Sequence, residues 1–202
     1  MPLPDGRWMV LIADVCGTGA EAAAVTALTR HTARAAAAAG SPAEILRAVN
    51  AALLQQQETE AGPLRFVTAC CLVVEPGRHG LQLRAAVAGH PLPLLRSPDG
   101  SVAEVGVPGR ALGIAADVDF AEAVVDLPPG STLVLYTDGV TEARDDAGIQ
   151  FGEDGLAEVL AGLRSGDAET VVATVTTAVE AQLTGSRHEA DDLAVLALAV
   201  PA

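Results

Sequence analysis

Residues 131–143 read STLVLYTDGVTEA. The first six, 131–136, are an apolar run with β-branched and aromatic members, the composition of a buried strand. Asp138 and Gly139 follow almost at once, so the strand ends on a short carboxylate and a turn. The same arrangement occurs twice more. Residues 7–15 (RWMVLIADV) are an apolar strand that reaches Asp14 before a turn at Gly17 and Gly19, and 192–200 (DLAVLALAV) is an apolar strand preceded by Asp191. Three aspartates therefore stand at the termini of three strongly apolar strands.

Working outward, residues 20–39 are Ala-rich without Pro or Gly and predict a helix, stopped by Gly40. Ser41, Pro42 and Glu44 have the spacing of an N-cap, a first-turn proline and a capping-box acid, so 42–57 is a second helix. Strands follow at 65–75, 81–88, 92–96, 121–127 and 131–136, separated by Gly-, Pro- and Asp-rich turns. Helices are expected at 152–163 and 167–184. The stretch 97–120, with scattered Gly, Pro and Asp, is expected as a loop or flap. Strands in a run pair mostly antiparallel, so the order predicts an α+β fold, not a regular βαβ alternation. No internal repeat or low-complexity linker interrupts it.

The 202 residues suffice for one domain with a sizeable core. Half of them are hydrophobic but only 2% are aromatic, so that core must be Ala, Val and Leu. A net charge of −14 argues against a general binder of nucleic acid or anionic membrane. No stretch has the length of a membrane span or the form of a signal peptide, so a cytoplasmic setting is expected. Adjacent Cys70 and Cys71 in a strand, with Cys16, make neither a disulfide framework nor a zinc pattern. All 12 basic residues are Arg. Without lysine the chain has neither the P-loop lysine nor a Schiff-base amine.

Hard divalent cations such as Mg²⁺ and Mn²⁺ take oxygen ligands and retain waters. Three carboxylates, a backbone carbonyl and waters suffice for two such ions, provided that the strand ends carrying Asp14, Asp138 and Asp191 converge. Each aspartate alone also fits a strand-end turn; only the three together carry the metal reading. Gly17-x-Gly19-x-x-Ala22 matches a dinucleotide fingerprint, but Ala-rich helix stands where its second strand should be. Asp14-x-x-Gly17-Thr18 is weakly similar to the haloacid-dehalogenase phosphatases, whose second Asp is replaced by Cys16 and whose usual Lys is absent. Cys16 reads as a small residue in a tight turn. His90 and His188 read as structural and solvated residues.

Across nearly its whole length the chain resembles the PPM-type phosphatases, in the bacterial branch named after stage II sporulation protein E. The matching segments are Asp14 to Gly19 with Ala22-Ala23, Phe66-Val67-Thr68, Ala88-Gly89-His90-Pro91, Leu112-Gly113, Leu127 to Gly130, Tyr136 to Ala143, Phe151-Gly152 and Asp191-Asp192-Leu193. The resemblance implies an αββα sandwich of two mostly antiparallel sheets flanked by helices. It implies two ions, Mn²⁺ or Mg²⁺: Asp14 bridging them, the Val15 carbonyl binding one, and Asp138 and Asp191 supplying the other carboxylates. It assigns no role to Asp192 or Glu142. The implied activity is hydrolysis of phosphoserine or phosphothreonine by a water activated between the ions. The implied substrate is a phosphorylated regulatory protein such as an anti-sigma-factor antagonist. The alternative from another class is a catalytically impaired module of this fold that binds a phosphoprotein partner.

The resemblance also has departures. Thr18 stands where a basic residue is common, and Ala194 where Thr is common. Relatives begin upstream with a Gly-Gly-Asp-x-x-Asp-type strand, so residues 1–202 are expected to be a phosphatase domain lacking its first strand or strands. That predicts an open sheet edge along 7–15, weakened metal binding and self-association into a homodimer.

Overall fold

The computed structural model describes residues 1–38, 40–59, 65–186 and 191–202. They fall into two units whose segments interleave along the chain. The first comprises Met1–Pro76, Gln82–Leu92 and Gly106–Val125, and the second Gly77–Leu81, Pro93–Val105 and Asp126–Ala202.

The first unit is built on β1 (Trp8–Val15), α1 (Gly19–Ala36), α2 (Pro42–Thr59), β2 (Val67–Gly77), β3 (Gly80–Ala88) and, after two strands of the second unit, β6 (Glu122–Leu127). Its sheet has the order β1-β2-β3-β6. β1 and β2 are antiparallel, with Asp14 opposite Thr68 and Val15 opposite Val67. Alternate residues of β2, Val67, Ala69, Cys71 and Val73, join one core with Val25 and Ala33 of α1 and with Ile45, Leu46, Val49 and Leu53 of α2. The two-residue period of the strand and the three-to-four-residue period of the helices meet there. The capping box forms: Glu44 Oε2 accepts the Ser41 N–H at 2.7 Å, and Ser41 Oγ accepts the Glu44 N–H at a longer 3.5 Å. The antiparallel partner of β1 removes the dinucleotide reading, which needs a parallel crossover.

The second unit carries β4 (Leu94–Arg96), β5 (Val102–Glu104), β7 (Thr132–Tyr136), α3 (Asp138–Thr141), α4 (Gly152–Ala161), α5 (Ala168–Leu183) and β8 (Val195–Ala199). Its sheet runs β5-β4-β7-β8, all antiparallel. Val134 and Tyr136 of β7 pack with Leu156 and Leu160 of α4 and with Val171, Val175 and Val179 of α5. Arg96 is buried, and its guanidinium donates to the Leu160 and Leu163 carbonyls at 2.9 and 2.6 Å, satisfying orphan acceptors at the end of α4. The expected fold class, two antiparallel sheets with helices, is what forms.

Two expectations change. Residues 97–120 are not a flap: they contain β5, Gly109 accepts the Gly89 N–H at 2.7 Å, and Asn50 of α2 accepts from Gly113 at 2.8 Å and donates to Ala115 at 2.9 Å. The edge of β1 is also not wholly open. Met1 and Leu3 lie along it, with Met9 N–H donating to the Met1 carbonyl at 2.9 Å and Leu3 N–H to Arg7 at 2.8 Å. Met9 is buried in the core of the first unit, while Trp8 remains 54% exposed.

Candidate functional site

Asp14 is the penultimate residue of β1, partly exposed, and its Oδ1 accepts the N–H of Val15 at 2.9 Å. A tight turn follows. Gly17 and Gly19 have φ of 100° and 84°, a region that residues with a Cβ rarely adopt. A Cβ at Gly17 would also meet the guanidinium of Arg65, which would have to shift. Arg65 donates to the Cys16 carbonyl at 3.2 Å and to Glu21, in the first turn of α1, at 2.5 Å. Its own carbonyl accepts from Gln57 of α2 at 2.6 Å. Next to Asp14 in the sheet register, Thr68 shares a hydrogen bond of 2.9 Å with Nδ1 of His90. His90 is buried, so it belongs to the packing of this strand end and is not an exposed phosphate ligand.

In the second unit the backbone segments beside the two other aspartates are tied together. Thr137 is the link. Its N–H donates to the Ala194 carbonyl at 3.1 Å, its Oγ1 accepts the Ala194 N–H at 2.9 Å, and the same hydroxyl donates to the Asp192 carbonyl at 2.9 Å. The strand end before Asp138 is thereby tied to the segment that carries Asp191. Asp138 opens α3, and Gly139 lies directly against that segment: a Cβ on it would stand 2.6 Å from the Asp192 carbonyl oxygen and 3.3 Å from the Asp191 carbonyl carbon. Asp191 Oδ1 accepts the Asp192 N–H at 2.8 Å, the same local bond that Asp14 makes with Val15. Asp138 is partly exposed, and Asp191 and Asp192 are exposed. Glu142 is exposed and lines an open cleft of about 590 Å³ with Thr141, Gln150, Phe151, Glu153 and Asp154.

The structure thus unites Asp138 and Asp191 in one unit and sets Asp14 on a shaped turn in the other. His188 and Glu189 lie outside the described residues. Thr137, Gly139 and Arg65 are the site-shaping residues to which the sequence reading gave no such role. Thr137 and Gly139 flank Asp138, but their partner lies more than fifty residues on, and nothing local announces it. Arg65 meets Cys16 across a separation of 49 residues.

The donor chemistry fits a hard divalent cation: the named side chains offer only carboxylate oxygens, and Gly139 keeps free the space through which Asp138 and the Asp191 segment approach. Among the described residues no three His, Cys, Asp or Glu side chains are gathered closely enough to hold a metal ion. Thiol chemistry has less to recommend it. Cys70 and Cys71 are fully buried, and burial pushes the Cys70 thiol up to about 12 and the Cys71 thiol higher still, so neither supplies thiolate at neutral pH. No helix among the described residues is long and apolar enough to cross a membrane.

Comparison with known proteins places this geometry in context. The family model described as stage II sporulation protein E (SpoIIE) matches residues 4–201. Phosphoserine phosphatase RsbU of Bacillus subtilis is 28% identical over 142 residues, 69% of this chain and 41% of RsbU; the chain thus spans less than half of that relative. The solved SiaA-PP2C domain of Pseudomonas aeruginosa has a similar structure, with a TM-score of 0.74 at 28% identity, over 96% of this chain and 80% of that one. The PP2C phosphatase domain of SpoIIE from Bacillus subtilis superposes with a TM-score of 0.76 over 96% of this chain and 55% of that one; at 16% identity it speaks to the fold alone.

Proposed function

The chain belongs to the stage II sporulation protein E family, and from that premise we propose that it is a metal-dependent phosphatase that removes phosphate from serine or threonine of a regulatory protein. The observation that supports the reading is the seat of Gly139, next to Asp138, on the Asp191–Asp192 backbone. Asp14, the Val15 carbonyl, Asp138 and Asp191 would hold two ions, Mn²⁺ or Mg²⁺. When bound, such ions supply an activated water and offset charge on the transferring phosphoryl group.

The chain's own part is positioning. Thr137 holds the approach of β7 to Asp138 and the approach of the Asp191 segment to β8 in one hydrogen-bonded unit. The antiparallel pairing of β1 with β2 fixes the backbone at Asp14, and the glycine turn carries the chain away, so the Val15 carbonyl stays at the strand end. Rigid strand ends suit this work, since small displacements of reacting groups are costly. In the overall change water adds to phosphorus, the phosphorus–oxygen bond to the seryl or threonyl side chain breaks, and the side chain leaves as its hydroxyl. The name of RsbU, a phosphoserine phosphatase, supports seryl phosphate as substrate. The three cysteines are free thiols, which supports a reducing, cytoplasmic setting.

The test is incubation of the purified chain with a phosphoserine protein or peptide and Mn²⁺, followed by mass spectrometry. The expected result is loss of one phosphate with release of inorganic phosphate, stopped by chelator. Binding of the phosphoprotein without turnover would favour the non-catalytic module instead.

A further inference from the structure

Arg65 stands directly before the Phe66-Val67-Thr68 segment and belongs to none of the motif segments that carry the family resemblance. It sits against the glycine turn that follows Asp14. The turn Cys16-Gly17-Thr18-Gly19 contains two glycines with positive φ and has no side-chain cap at the start of α1. A turn of this composition gains freedom readily and must be held from outside. The guanidinium of Arg65 lies over Gly17 and spans the turn: one nitrogen donates to the Cys16 carbonyl at 3.2 Å and another to Glu21 at 2.5 Å. Its base is fixed as well, since the Arg65 carbonyl accepts from Gln57 and the neighbouring Phe66 carbonyl accepts the Cys16 N–H at 3.0 Å.

We infer that Arg65 is a positioning residue for the metal-binding strand end, a clamp that fixes the turn after Asp14 and so the direction of the Asp14 carboxylate and the Val15 carbonyl. This rests on the reading of Asp14 as a ligand. The ion pair is not what matters, because the Glu21 side chain is 71% exposed and a surface pair contributes little. The planar fork matters: it reaches two acceptors at once while packing on a residue that has no side chain. Lysine has a single ammonium group and cannot reproduce that span.

The experiment compares the wild-type chain with Arg65→Ala, Arg65→Lys, Glu21→Gln and Asp14→Asn. Three readouts are taken: hydrogen exchange at the amides of 16–21, Mn²⁺ affinity by calorimetry without substrate, and kcat and KM across Mn²⁺ concentrations. For Arg65→Ala, exchange at 16–21 speeds up and Mn²⁺ binds roughly tenfold more weakly, the scale of one lost hydrogen bond from a charged donor. KM for substrate at saturating Mn²⁺ is unchanged. Arg65→Lys does not restore the Mn²⁺ affinity. Glu21→Gln, which removes the charge and keeps an acceptor for the guanidinium, leaves exchange and affinity near wild type. Unchanged exchange and unchanged Mn²⁺ affinity in Arg65→Ala, or full rescue by Arg65→Lys, overturns the clamp. Should Arg65→Ala not fold, unchanged exchange and affinity in Arg65→Lys overturns it equally. Asp14→Asn separates the two claims: if it binds Mn²⁺ as the wild type does, the reading of the site is wrong, whereas its loss of binding beside a wild-type Arg65→Ala removes only the clamp.

Discussion

Replacing Gly139 with alanine sets two known effects against each other. Gly139 lies in α3 and its φ is not positive, so helix propensity alone favours alanine by about 0.8–1 kcal/mol. Packing opposes the change. The new Cβ would stand 2.6 Å from the Asp192 carbonyl oxygen, against an ordinary carbon–oxygen contact of about 3.3 Å, so the backbone must retreat by about 0.7 Å. The obstacle is backbone, not the far end of a flexible side chain, and overpacking of this kind costs about 1–3 kcal/mol. Packing wins by about 1 kcal/mol, a fall of about 2–4 °C in melting temperature for a chain of this size. The effect on turnover is larger, because the retreat moves Asp191 and Asp192 away from Asp138. A displacement approaching 1 Å can cost about 10²-fold in rate. The assay is hydrolysis of a generic aryl phosphate with Mn²⁺, beside a thermal melt. Gly6→Ala is the control: Gly6 has φ of 84° and no neighbour within 4 Å of a Cβ, so it destabilises through backbone strain without touching the site. Wild-type turnover in Gly139→Ala, or an equal loss in Gly6→Ala, would refute the reasoning.

Asp138→Asn should abolish metal-dependent turnover while the metal-free protein melts at the same temperature or higher, because one of several neighbouring negative charges is gone; scanning calorimetry with a rate assay checks both. Arg96→Met should destabilise the second unit by about 2–4 kcal/mol, measured by urea unfolding, since it leaves the Leu160 and Leu163 carbonyls without their buried donor. Asp167 caps α5, and hydrogen bonds from Ser165 and Thr170 hold its carboxyl down to about 2. Its folded value lies below its unfolded one, so its stabilising effect is present above about pH 4 and is lost as pH falls through about 2. Asp167→Ala should therefore melt a few degrees lower than wild type at pH 6, with the difference gone near pH 2.

Much of this was legible in the sequence, for reasons that are local. The strand expected at 65–75, the helix at 42–57 and the Ser41–Glu44 capping box each depend on residues close in the chain, and each formed close to its expected place. The placement of three aspartates near strand ends was legible because an apolar run that stops at a carboxylate is a short-range pattern. What was missed is short or distant. The three residues of β5 and four of α3 are too few to show a period. The cover that Met1 and Leu3 give the edge of β1 depends on a hairpin at Gly6 that the pattern does not announce. The roles of Thr137, Gly139 and Arg65 exist only through residues far along the chain, and for Gly139 the essential fact is the side chain it lacks.

The central proposal is that Asp14, Asp138 and Asp191 are the carboxylate ligands of two divalent cations. Calorimetric titration of Mn²⁺ into wild-type, Asp14→Asn and Asp138→Asn protein tests it most directly. The account predicts two ions bound by the wild type, and loss or strong weakening of binding from either single substitution. Two ions bound with wild-type affinity in either variant would contradict it.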